Sequence, residues 1–231
     1  MRIPKLLVFC LLLTSLLGSG CMDILKEIYF NKDGSGQARI EYSLEGLLET
    51  MEEMGGGDMG GMNISKSEDG KIEFPSFTEF VDQLKGMPGI SKVKYSEDSE
   101  ASKVAVSFAF ADLAAYNRAE EASGSTSGEV ISSEEAADML LSRSANKLTT
   151  SADMKMSKAK GKEGKMMKEM LLVALEGYTY TMKYTFEEKV EKVKKNKNAE
   201  ISADRKTVTV AADMADLLNG ASKISNQIIL E

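Results

Sequence analysis

The stretch YTYTMKYTF, residues 178–186, decides the fold class of this chain. Its large side chains alternate strictly with threonine and lysine: Tyr178, Tyr180, Met182, Tyr184 and Phe186 on one side, Thr179, Thr181, Lys183 and Thr185 on the other. A period of two residues is typical of a β-strand with one buried face. The stretch therefore predicts a strand whose aromatic face contributes to a hydrophobic core.

A β-hairpin is predicted by DILKEIYFNKDGSGQARIEYSL, residues 23–44. One side of its first strand carries Ile24, Ile28 and Phe30, with Lys26 as a charged exception on that side. Gly34 and Gly36 supply the backbone freedom that a tight turn needs. Further strands are predicted near residues 92–96, 103–110, 190–193, 200–202, 207–211 and 226–231.

Helical spacing is clearest in PSFTEFVDQLKGMPG, residues 75–89, where Ser76 and Glu79 fit a capping box. Helices are also predicted over residues 44–54, 112–122, 133–148 and 163–175. A short helix is predicted between Asp213 as its N-cap and Gly220. Together these elements predict an α+β fold, a meandering antiparallel sheet with helices on one face and a helical or low-complexity insertion.

Composition along the chain predicts four segments. Residues 1–20 read as a signal peptide that is removed, and residues 21–122 as the N-terminal half of the α+β domain. Residues 123–168 contain SGSTSG and a lysine- and methionine-rich run, which indicates a flexible or helical insertion. Residues 169–231 are then the C-terminal, β-rich half of the same domain.

The export signal leads directly into Cys21. Arg2 and Lys5 precede twelve residues of mainly apolar character, and the small residues 18–20 follow. This layout favours lipid acylation of Cys21 and a membrane anchor. Leu17 lies four residues before the cysteine instead of the usual three, so an ordinary secretory cut at the same bond is the alternative.

The composition disfavours catalysis and nucleic-acid binding. The chain has no histidine, and its two cysteines are Cys10, inside the signal, and Cys21. The commonest general bases and nucleophile pairs are therefore missing. Without residues 1–20 the chain carries 27 basic and 36 acidic residues, a net charge of −9. We expect no enzyme activity, no cofactor, no metal ion and no nucleic-acid partner.

Several short motifs resemble ligand-binding or catalytic sequences but lack the residues or context that such sites need. GGGDMG, residues 55–60, lacks the strand that a dinucleotide loop needs, and NKDGSGQARIEY lacks the glutamate that closes a calcium loop. S-x-x-K occurs at Ser91 and Ser144 without the companion motifs of penicillin-recognising enzymes. Two possibilities stay open: thioether ligation of Cu(I) and attraction of anionic lipid. Their residues are Met51, Met54, Met59 and Met62 for the first, and Lys155, Lys158, Lys160, Lys162, Lys165 and Lys168 for the second.

Four stretches carry a family resemblance: LLGSGC at 16–21, NKDGSGQARIEYSL at 31–44, VAVSFAFADLAAYN at 104–117 and ISADRKTVTVAADMADLL at 201–218. With them the chain resembles bacterial lipoproteins that have an α+β domain just after the acylated cysteine, and it is similar to the LppM-like lipoproteins. The resemblance implies a cell-envelope protein. CMDILKE, residues 21–27, lacks a dense acidic cluster after the cysteine, which favours a domain that faces the periplasm. Its partner would be a lipid or amphiphile or, alternatively, an envelope protein complex that it helps to assemble.

Overall fold

The computed structural model describes residues 23–43, 65–66, 72–73, 75–98, 101–126, 140–144, 146–151, 169, 172–173 and 175–231. The strands are β1 (Asp23–Phe30), β2 (Gly36–Ser43), β3 (Ser65–Lys66), β4 (Ile72–Glu73), β5 (Ile90–Asp98), β6 (Lys103–Phe110), β7 (Leu140–Ser144), β8 (Lys147–Ser151), β9 (Thr179–Phe186), β10 (Val190–Lys194), β11 (Glu200–Ile201), β12 (Thr207–Asp213) and β13 (Asn226–Leu230). The helices are α1 (Pro75–Gly86), α2 (Leu113–Thr126) and α3 (Met214–Asn219).

The larger sheet has seven strands in the order β11-β12-β9-β1-β2-β6-β5. The predicted α+β class is confirmed, and β9 has the predicted alternation of buried and partly buried residues. The sheet is mixed, however, and not purely antiparallel, because β1 pairs with β9 in parallel. A parallel pair needs a long crossover connection, and the chain between β2 and β9 provides it. Strand β1 lies at the centre of the sheet.

The second sheet has four strands in the order β10-β13-β8-β7 and is antiparallel. It includes β7 and β8, which corrects the helix predicted over 133–148. Leu141 and Leu148 lie seven residues apart, a spacing that also fits a helix. A turn between the two strands instead places both leucines on the buried side, with 4 % and 1 % of their surface exposed. Helix α2 also continues to Thr126, past the predicted limit of 122.

The core lies between the inner face of the large sheet and the layer formed by α1, α2 and the second sheet. Phe30 on β1 stacks on Phe186 of β9, with ring centroids 5.4 Å apart, and meets the edge of Phe110 of β6 at 5.9 Å. These aromatic contacts fill one end of the inner face. Most of the core side chains come from strands, as the alternating patterns predicted.

The hairpin turn between β1 and β2 is held by its own side chains. Ser35 donates its backbone N–H to Asp33 Oδ1 at 2.9 Å, and Asn31 Nδ2 donates to Ser35 Oγ at 2.8 Å. Gly34 has φ 88°, in the left-handed region that favours glycine. The predicted turn at this position is confirmed.

Helix α3 has the predicted caps. Asp213 Oδ1 accepts a hydrogen bond from the backbone N–H of Asp216 at 3.1 Å, and Gly220 ends the helix with φ 79°. We expect Asp213→Ala to lower the free energy of unfolding by about 1 kcal/mol, because an N-terminal N–H loses its acceptor. Urea denaturation measures the change, with Asp213→Asn as a control that keeps the oxygen. An Ala variant as stable as the wild type would contradict this role.

Candidate functional site

A charged residue lies on the inner face of the central strand. Because side chains alternate along β1, Lys26 points to the same side as Ile24 and Ile28, and only 7 % of its surface is exposed. Lys26 Nζ contacts Glu120 Oε2 on α2 at 2.5 Å, and Glu120 is 8 % exposed. Two opposite charges are therefore paired inside the core, between the middle of the sheet and the helix above it.

The second carboxylate oxygen of Glu120 is also occupied. Tyr116, one helical turn earlier on α2, donates its hydroxyl to Glu120 Oε1 at 2.8 Å. The Tyr116 ring is 1 % exposed and meets the edge of Phe110 at a centroid distance of 5.3 Å. Both oxygens of the buried carboxylate thus have donors, as a buried charge requires.

Three further tyrosines belong to the same inner face. Lys26 lies opposite Ile40 on β2 and Met182 on β9, so the next inward residues on those strands lie diagonally from it. We name the resulting group the buried polar cluster, and its members are Lys26, Glu120, Tyr116, Tyr42, Tyr180 and Tyr184.

The hydroxyl groups of these tyrosines are kept protonated. Burial, followed by the negative charge of Glu120, raises the pKa of Tyr42, Tyr116 and Tyr180. Burial also raises the pKa of Tyr184, although hydrogen bonds with Thr150 and Asn226 of the second sheet act in the opposite direction. At neutral pH the cluster therefore presents neutral phenols, which can donate hydrogen bonds, around one ion pair.

The cluster extends from the middle of the large sheet toward the end where β1 begins. Lys26 is the fourth of the eight residues of β1, and Tyr184 is level with Ile28. Ile24, the second residue of β1, is level with Tyr42 on β2 and Tyr180 on β9. At the opposite end, Phe30 is level with Phe186 and packs against Phe110. The inner face thus changes from polar and aromatic near the start of β1 to purely aromatic at its far end.

The two charged groups of the cluster are engaged with each other. Lys26 Nζ is in contact with Glu120 Oε2, so it is engaged and not free to act as a nucleophile. Glu120 is the cluster's one carboxylate, whereas paired acid–base chemistry of the glycosidase type needs two. Within the ranges that the structure describes, no group of three or more Cys, Asp or Glu residues is arranged to hold a metal ion.

The residues singled out from the sequence have mixed outcomes. Cys21, the four methionines of the 51–62 region and the six lysines between 155 and 168 lie outside the described residues. The sequence marks Lys26 as a charged exception on the apolar side of its strand, but it does not indicate Glu120 as the partner. Glu120 carried a signal of the same kind, because Ala115, Tyr116 and Ala119 form the buried stripe of α2 and Glu120 continues it.

Comparisons with known proteins identify a similar solved structure but no family. No family model and no curated protein matches the chain. The NMR structure of the folded domain of the LppM protein from Mycobacterium tuberculosis is similar over 92 % of each chain, with 12 % sequence identity and a TM-score of 0.41. A likeness at that level carries no argument about function. Across the described part of the chain, no helix has the length and apolarity to cross a membrane.

Proposed function

We propose that this protein is a lipid-anchored bacterial cell-envelope lipoprotein that faces the periplasm and binds a lipid or amphiphile without catalysing a reaction. The observation that carries the proposal is the position of Cys21, two residues before Asp23, the first residue of the central strand. Two residues span at most about 7 Å. Acyl chains on Cys21 would therefore hold the β1 end of the large sheet against the bilayer surface.

The buried polar cluster supports an amphiphile as the ligand class. Tyr42 and Tyr180 are level with Ile24 near the start of β1, the end that the anchor would bring to the membrane, and Lys26 lies at the middle of the strand. The aromatic side chains of Phe30, Phe110 and Phe186 continue the same inner face away from that end. A ligand with a polar head and an apolar tail would match this order, and its entry would require the closely packed phenylalanines to separate.

The mass of the mature N-terminal peptide tests the anchor. We expect a diacyl or triacyl mass on the peptide that begins at Cys21, and the loss of membrane association in Cys21→Ala. An unmodified thiol at Cys21 in protein taken from its own membranes would refute the anchor. Native mass spectrometry of the same sample tests ligand binding, which a retained adduct of lipid mass would support. A sample free of any adduct would count against it.

A structural or assembly role in an envelope complex is the second candidate, and the outer face of the large sheet favours it. Tyr29 lies on that face of β1 and is 37 % exposed. Leu25, four residues earlier on the same strand, lies on the same face. Exposed aromatic residues are enriched where proteins bind each other. Retention of another protein in the native spectrum, lost in Tyr29→Ser, would support this role over the first.

A further inference from the structure

A lysine-rich surface lies at the end of β10. Residues 189–206 contain seven basic and three acidic residues, a net charge of +4 in a protein that is acidic overall. The backbone carbonyl of Lys223 accepts a hydrogen bond from Asn196 Nδ2 at 2.9 Å, which brings a second segment to the same place. The exposed lysines at this place form what we name the basic surface: Lys194, Lys195, Lys197 and Lys223.

The ammonium groups of the basic surface are available to an external anion. Over the described ranges, none of the four has an ion pair, while nearby cations do. Lys192 Nζ is 2.5 Å from Glu191, and Arg205 is 2.9 Å from Glu231. Glu191 and Glu231 are thus each paired with a cation outside the basic surface.

Protection of a sheet edge explains only part of this surface. β10 is the edge strand of the second sheet, and lysines on edge strands discourage unwanted pairing. Lys194 fits that role, but Lys195, Lys197 and Lys223 follow or lie off the strand. Lys195 also has φ 69°, a left-handed conformation in which glycine or asparagine would be less strained.

We propose that the basic surface binds the anionic headgroups of the membrane that carries the protein. The inference rests on the proposed membrane location, and it gives the domain a second contact with the bilayer besides Cys21. Lysines are compact point charges, which suit a diffuse layer of phosphate groups better than a shaped pocket. Each lysine close to an anionic bilayer raises the partition coefficient by roughly fivefold.

Vesicle flotation of the mature chain with Cys21→Ser tests the lysines without the anchor. We expect binding to vesicles that contain phosphatidylglycerol and none to vesicles of phosphatidylcholine alone. Lys195→Asn/Lys197→Gln should lower the partition coefficient by roughly 25-fold, while asparagine suits the left-handed turn and keeps the fold intact. Salt at about 0.5 M, where the Debye length is roughly 4 Å, should release the protein.

Lys92→Asn/Lys94→Gln is the matched control. Both lysines are exposed, Lys92 also has a positive φ of 53°, and they lie on β5, the opposite edge of the large sheet from β11. The control should bind like the parent chain. Equal losses in both double variants, or binding to soluble polyglutamate as tight as to vesicles, would overturn the proposal. The anchor is measured separately, by the N-terminal mass, so either idea can fail alone.

Discussion

Lys26→Met is expected to lower the free energy of unfolding by about 3–5 kcal/mol, because it leaves the carboxylate of Glu120 buried without its counter-charge. Glu120→Gln should cost a similar amount, since it leaves the Lys26 ammonium in the core. Both estimates depend on the low exposure of the pair, 9 % and 5 % for the two side chains. Urea or guanidinium denaturation followed by circular dichroism measures the effect.

The double variant Lys26→Met/Glu120→Gln should recover most of this loss, to within about 1 kcal/mol of the wild type. No charge then remains in the core, and the glutamine carbonyl still accepts from the Tyr116 hydroxyl. Additive losses in the double variant would show that the two charges are not coupled, and would contradict the ion pair. Comparing the two single variants with the double variant still tests the ion pair when one single variant is only partly folded.

The neighbouring ion pair Lys183–Glu27 provides a control of the same chemistry on the other face. Glu27 follows Lys26 on β1 but points outward, and its carboxylate is 2.9 Å from Lys183 Nζ with 36 % and 44 % of the side chains exposed. Lys183→Met/Glu27→Gln should change the free energy of unfolding by less than about 1 kcal/mol. A large loss of stability at the Lys26–Glu120 pair and a small one at the Lys183–Glu27 pair would identify burial as the cause of the difference.

The strands were largely predictable from the sequence, because a period of two is a local property. The alternation in residues 178–186 identified β9, and the hairpin turn followed from its glycines. The parallel pairing of β1 with β9 was not predictable in this way. It joins residues more than one hundred positions apart, and the inward patterns of both strands fit either direction equally well.

The candidate site was half predictable for a related reason. A lysine on the apolar side of a strand, such as Lys26, indicates that an acidic partner is buried beside it. Any of the 36 acidic residues could have been that partner. The choice of Glu120 depends on how α2 crosses the sheet, which is a tertiary property. In other sequences, the same combination would predict a buried ion pair: one charged residue on the buried stripe of a helix, and one of opposite charge on the buried side of a strand.

Leu148→Ala is expected to lower the free energy of unfolding by about 2–5 kcal/mol. The leucine is 1 % exposed and belongs to the core, although it falls within the segment 123–168 that was predicted to be an insertion. Strand β8 pairs with both β7 and β13, so the space left by the side chain cannot close without moving the second sheet. Thermal or urea unfolding gives the measurement.

Ser142→Ala in the same hairpin is the control, because Ser142 is exposed on β7 and its removal should change stability by less than about 0.5 kcal/mol. If Leu148→Ala also changes stability by so little, residues 140–151 are dispensable, as an insertion would be. A loss of about 2–5 kcal/mol in Leu148→Ala would instead show that the β7–β8 hairpin is part of the domain. Any shortening of the 123–168 segment must then keep β7 and β8, because Asn226 on β13 donates its backbone N–H to Thr150 Oγ1 at 2.9 Å and would lose its partner with them.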